Sequence, residues 1–223
     1  MRLARLGFLM ATAALLLAQE ETPDKRLRSA ADTLREIMAT PDKAIPRGLL
    51  NRSECLVIVP GMKKAAFVVG GQYGRGFALC RSPFGWSAPA PVRLAGGSFG
   101  LQLGVDSTDI VLLVTNLRGM NHLLSDKFKL GADAAIAAGP VGRDTAADTD
   151  VLMRAEILCW SRTRGLFAGA SLDGTVVEHD AAEAKKLYGR PMSNHEIVSG
   201  DIKTPEGAAG LAAELEEIAP SRK

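Results

Sequence analysis

Gly70-Gly71-Gln72-Tyr73-Gly74-Arg75-Gly76-Phe77-Ala78-Leu79-Cys80-Arg81 is the stretch on which the fold turns. Glycine weakens a strand interior and marks bulges, sharp bends or close backbone approach. The glycine order does not match a dinucleotide fingerprint, and a strand-like apolar run follows where a helix should open. Gly71–Gly76 therefore reads as a hairpin. Outward from it, Cys55–Val59, Ala65–Gly70, Gly74–Arg81, Gly97–Val105 and Ile110–Thr115 are short, apolar or alternating, and divided by Gly, Pro, Asp and Ser. These are the marks of successive β-strands. Their connections are too short for crossover helices, so antiparallel pairing is predicted. Gly96, Gly97, Gly100 and Gly104 add to the picture of a strongly curved or closed sheet.

Beyond this region Gly119–Asp126 reads as a short helix, and Ala132–Ala138 as an extended run into Gly139-Pro140-Val141-Gly142-Arg143. Met153–Thr163 and Leu166–Leu172 read as strands around an Arg164-Gly165 turn, followed by Val176–His179. Ala181–Tyr188, stopped by Gly189, and Glu206–Ile218 are predicted helices. At the other end, Leu27, Ala30, Ala31, Leu34, Ile37 and Met38 recur at three- and four-residue steps within Asp24–Thr40, one face of an amphipathic helix. That face has two destinations, the domain core or a lipid headgroup layer. The expected fold is thus α+β, a single domain with a strongly curved, glycine-rich, mostly antiparallel, barrel-like sheet flanked by N- and C-terminal helices.

The start of the chain has its own pattern. Arg2 and Arg5 precede an uncharged apolar run, Leu6–Leu17, then Ala18 and the pair Glu20 and Glu21. This is the layout of a secretory signal peptide over residues 1–18, too short in its apolar part to cross a bilayer. An exported chain, periplasmic or secreted, is expected, with one domain over 19–223 and its core at about 24–219. Lys and Arg number 27 against 25 Asp and Glu, and the leader carries two of the arginines, so the remainder balances. Bulk attraction to nucleic acid or to an anionic bilayer is excluded by that balance, and electrostatic binding must come from a local patch. Cys55, Cys80 and Cys159 are odd in number, widely spaced, and embedded in apolar runs. They form no zinc knuckle or disulfide framework; at most one bridge is possible, the alternative being three small buried hydrophobes.

No catalytic constellation emerges. Gly169-Ala170-Ser171-Leu172-Asp173 lacks the final glycine of a nucleophile elbow and precedes a turn into a strand. A hydrolase built on Ser171 or Ser161 would need a histidine within hydrogen-bond reach. His122, His179 and His195 are far apart and lack metal-ligand spacing, and Asp144, Asp148 and Asp150 do not follow a calcium-loop pattern. Neither a metal nor a cofactor is expected. What remains is a positive set, Lys63, Lys64, Arg75, Arg81 and Arg143, beside turns whose backbone N–H groups can hold phosphate.

Read in order, further segments resemble the SYLF domain family: Lys43-Ala44-Ile45-Pro46 with Leu49-Leu50, Val59-Pro60-Gly61 with Lys63-Lys64, Gly70-Gly71 with Gly74-Arg75-Gly76, Trp86-Ser87-Ala88-Pro89, and Gly96–Gly104. The second half adds Ala137–Arg143, Ser161–Gly174 and Leu187-Tyr188-Gly189, so the resemblance runs from about Asp24 to Ile218. It implies a compact β-rich domain that binds acidic phospholipids and is not an enzyme. The family's amphipathic helix and basic surface positions are matched by Asp24–Thr40, with Leu27, Leu34, Ile37 and Met38 as its membrane-contacting face, and by Lys63 and Lys64. Acidic phospholipids or a membrane surface are the expected partners. Actin, which some family members bind, is not expected for an exported chain. The rival reading is an envelope scaffolding module that binds protein without lipid.

Overall fold

The glycine run at 70–76 bends without reversing. In the computed structural model, which describes residues 21–40, 43–82, 85–140, 154–163, 166–167 and 172–221, Cys55–Ser82 is a single strand, β1. It pairs antiparallel with Ala90–Val114, β3, from Cys55↔Val114 to Ala78↔Ala90, after the short Gly85–Trp86, β2. The hairpin expected at Gly71–Gly76 is absent, and five short expected strands are two long ones. Tyr73↔Ala95, Gly74↔Leu94 and Arg75↔Arg93 keep the ladder unbroken through the glycines. Register shifts, the mark of bulges, interrupt the ladder between Val59 and Met62 and between Ala66 and Val68.

A strand of 28 residues would reach about 90 Å if straight. This one coils until its ends meet. The Cα atoms of Cys55 and Cys80 are 4.0 Å apart and their side chains form a disulfide, while Arg81 N donates to Glu54 O at 2.8 Å. At the crossing, Gly76 lies against the backbone of Ile58 and Val59: a Cβ there would stand 2.8 Å from Val59 Cα and overlap the Ile58 carbonyl. Glycine is required at this position by contact.

The remaining elements complete a sheet that has eight strands among the described residues. Around the strands are helices α1 (Pro23–Met38), α2 (Arg47–Arg52) and α3 (Leu117–Leu124). Strands β4 (Lys127–Lys129), β5 (Ile136–Ala138), β6 (Ile157–Thr163), β7 (Leu166–Phe167) and β8 (Val176–His179) follow. Helices α4 (Ala181–Tyr188) and α5 (Asn194–Ser199), a 3₁₀ turn at Glu206–Ala208, and α6 (Ala209–Ile218) end the chain. Among the described strand pairs, one path runs β2-β1-β3-β6-β5 and only β5–β6 is parallel; β8 bridges β3 and β4. The leader-like segment 1–18, Arg143, Ser171, the acidic loop at 144–150 and the Arg164-Gly165 turn lie outside the described residues.

Period-two alternation sorts the apolar strands into two cores. Cys55, Val57, Val59, Ile110, Leu112, Ile157 and Cys159 point to one, shared with Leu123, Phe128 and Ile197. Leu56, Ile58, Val111, Leu113, Leu158 and Trp160 point to the other, covered by α1 and α6. Both faces are buried, so the strands read as nearly continuous apolar runs. Helix α1 begins where Pro23 follows the N-cap Thr22, and its stripe of Leu27, Leu34 and Ile37 is fully buried against the second core, with Met38 partly buried beside them. Full burial of each large side chain contributes roughly 1.5–3 kcal/mol. The membrane-contacting role expected for this face is therefore corrected: in this conformation the stripe is sheet-facing and holds the fold together.

One cysteine pair is bridged and the third is not. Cys159 is a buried thiol whose pKa is pushed up to about 12 by desolvation, so it is protonated and unreactive at neutral pH. The Cys55–Cys80 bridge spans 25 residues of sequence, for which denatured-chain entropy gives about 3.5 kcal/mol. Cys55→Ala/Cys80→Ala, or reduction of the parent protein, is expected to lower the urea midpoint accordingly. An unchanged midpoint would mean that packing alone holds the crossing.

Candidate binding surface

Lys63 and Lys64 follow the bulge at Pro60-Gly61. Gly61 adopts φ +57°, a left-handed conformation that glycine tolerates, and its N–H donates to Asp109 Oδ1 at 2.8 Å. Both lysines are exposed, whereas Met62 beside them is buried in the first core. Successive strand residues face opposite sides, so the two cations do not converge on one ligand atom. Lys63 Nζ donates to Ser107 Oγ at 3.1 Å. It also lines a cleft of about 410 Å³ with Glu21, Asp32, Glu36, Asp109 and Arg162, and carboxylates outnumber cations there.

Arg162 joins the cleft wall by pairing with Glu36 on α1 and with Asp109 at 2.7 Å. Burial opposes its charge, but these carboxylates outweigh burial and raise its pKa further.

Arg75 and Arg81 sit in structural roles. Arg75 Nε donates to Asp180 Oδ2 at 2.7 Å and its Nη2 lies 3.1 Å from Glu183 Oε2. Glu183 also pairs with Arg26 Nη1 from α1, and Arg26 Nη2 donates to Glu21 O at 2.9 Å. Alternating charges thus tie α1, β1 and α4 together. Desolvation works against an ionised Asp180, but the Arg75 hydrogen bond and the Glu183 backbone N–H outweigh it and hold its pKa below the usual carboxylate value. The same carboxylate N-caps α4, accepting from Glu183 N at 3.0 Å.

Arg81 donates to Ser53 O, Leu50 O and Pro220 O at 3.0, 3.0 and 2.8 Å. Two of these carbonyls lie at the end of α2, where helical acceptors lack partners. Its guanidinium also stacks 4.6 Å from the Trp86 ring centroid, and Trp86 Nε1 donates to Ala219 O. The structure therefore does not gather Lys63, Lys64, Arg75 and Arg81 into one phosphate cradle; it spends the arginines on internal ties.

A face that the sequence reading missed lies on β1, β3, β8 and β4. Register aligns Tyr73, Ala95, Val176 and Lys129 in one row and Arg75, Arg93, Glu178 and Lys127 in the next. The intervening row, Gly74, Leu94, Val177 and Phe128, is buried. The alternation Lys127-Phe128-Lys129 is the sequence signal that could have found this edge strand.

Among the described residues His179 and His122 face an asparagine and a glutamate, while Ser171 lies outside those residues. His179 Nδ1 is 2.8 Å from Asn194 Oδ1, and His122 Nε2 is 3.8 Å from Glu156 Oε2. Among the described residues no three His, Cys, Asp or Glu side chains gather as a metal site, and no helix is long and apolar enough to cross a membrane.

Comparison with known proteins adds identity to this geometry. Residues 95–218 match the family described as Ysc84, Las17-binding protein actin regulator. SH3 domain-containing YSC84-like protein 1 of Bos taurus is 31% identical over 198 residues, 86% of this chain and 58% of the relative. Protein YSC84 of Saccharomyces cerevisiae is 31% identical over 182 residues, 80% of this chain and 39% of the relative. LAS seventeen-binding protein 3 of the same species shows the same identity and coverage. The chain thus spans 58% or less of the length of these relatives. The expectation that excluded actin is overturned, because the family description names an actin regulator and both it and a yeast relative are named for Las17 binding. With a family match over more than half its length and relatives above 30% identity, the chain belongs to the Ysc84 family, the family of SYLF domains.

Proposed function

We propose that this domain is a non-catalytic binding module that attaches to an acidic phospholipid surface around the Lys63–Lys64 bulge. The observation that carries the reading is the exposure of two adjacent lysines on a backbone pinned by Gly61 and Asp109. Each surface cation adds about 1 kcal/mol on an anionic leaflet. Co-sedimentation with phosphatidylcholine vesicles, with and without phosphatidylserine, tests it. K63E/K64E is expected to weaken pelleting with the anionic vesicles by roughly tenfold or more; equal pelleting by variant and parent rejects the site.

The relatives' names favour a second reading, a protein adaptor in actin regulation. Pelleting of the chain with filamentous actin in the absence of vesicles would support it. We further propose export, supported by the leader-like pattern at 1–18 and by the buried Cys55–Cys80 bridge, a bond that persists in oxidising compartments.

A further inference from the structure

The solvent face of β1, β3, β8 and β4 carries chemistry that the interior does not use. Tyr73 is 48% exposed, and among the described residues only it and Leu117 are large hydrophobics left so open. Beside it Gly71 pairs with Gly97, and nothing lies within 4 Å of a Cβ placed at Gly97, so the floor next to the ring is bare backbone. Ala95 and Val176 continue that low floor toward Lys129.

Most of the charge on the face is paired. Arg75 is held by Asp180 and Glu183, and Arg93 by Glu178 at 2.7 Å. Lys127 and Lys129 are exposed, and among the described residues their ammonium groups make no ion pair, although the Asp133 carboxylate accepts from Lys129 N at 2.7 Å. Two cations without an ion-pair partner among the described residues therefore stand at one edge, with the tyrosine three strands away, about 14 Å at the usual strand spacing.

We infer that this face docks an acidic segment of a partner protein, its carboxylates on Lys127 and Lys129 and its chain laid across the glycine and alanine floor against Tyr73. Tyrosine is enriched as an interface anchor, since it offers a large rigid contact area with a polar tip. The low floor of Gly71, Gly97, Ala95 and Val176 beside the ring leaves room for an extended chain to lie across the strands. The lipid proposal at Lys63 and Lys64 is independent of this face.

The test is fluorescence anisotropy of fluorescein-labelled Glu/Ala and Lys/Ala peptides titrated with the whole chain, with phosphatidylserine vesicles run in parallel. The Glu/Ala peptide is expected to bind and the Lys/Ala peptide not to. K127Q/K129Q and Tyr73→Ala should each weaken binding about tenfold, and K63Q/K64Q should leave it unchanged. K127R/K129R, which keeps the charge, should bind as the parent does and thus separates lost charge from a disturbed edge strand. The inference fails if the Glu/Ala peptide does not bind, if K127Q/K129Q binds it like the parent, or if that variant loses vesicle pelleting while peptide binding stays intact.

Discussion

Gly76→Ala is expected to lower the stability of the domain by at least about 3 kcal/mol, or to prevent folding altogether. The added methyl would meet the Ile58 carbonyl carbon and Val59 Cα, each 2.8 Å away. Those atoms belong to the opposite end of the same strand, so relief requires the crossing itself to open. Opening it would pull on the Cys55–Cys80 bond and on the Arg81–Glu54 backbone hydrogen bond. Gly97→Ala is the control: the site is open, and its change should stay within about 0.5 kcal/mol. Urea unfolding of both variants measures the difference, and equal midpoints would refute the role assigned to Gly76.

Glu183→Ala should cost about 3–5 kcal/mol, the usual penalty for leaving a buried partner charge uncompensated. Glu183 and Arg26 are nearly inaccessible to solvent, and removal of the carboxylate strands the Arg26 guanidinium and half of the Arg75 contact. Arg26→Met/Glu183→Leu should cost less than the sum of the single changes, since neither charge is then left alone. The same network sets the acid limit of the fold. Asp180 has a folded pKa below its unfolded value of about 3.9. Its contribution is therefore complete above that value and is lost as pH falls through the folded pKa. Urea midpoints recorded from neutral pH downward should decline in that acid window for the parent, and less steeply for Asp180→Asn. Additive costs in the double variant would show that the two charges are not coupled.

Local rules reached part of this architecture. The helical period of Leu27, Leu34 and Ile37, the Gly189 stop and the strand character of 55–59 and 110–114 all depend on near neighbours, and each is found in the structure. Gly71–Gly76 misled because turns and strand bends ask for the same residue; only the pairing of Tyr73 with Ala95 distinguishes them. Arg75 and Arg81 misled for a related reason. Their partners Asp180 and Pro220 are 105 and 139 positions away, and a guanidinium looks equally available for phosphate until those groups are located. The Tyr73 face had the same obstacle, since its rows draw on four strands that the chain visits at different times.

The self-crossing of β1 also bears on time. Without the Cys55–Cys80 bond its two ends can meet only after long-range pairing with β3 has bent the ribbon round, and contacts of that kind form slowly. A contact made late raises the barrier to escape from the native state without hastening arrival. In the bridge-deleted alanine pair, the unfolding arm of a chevron should accordingly rise while the refolding arm stays in place. What the crossing then governs is endurance: the span over which a folded molecule outlasts proteolysis and heat.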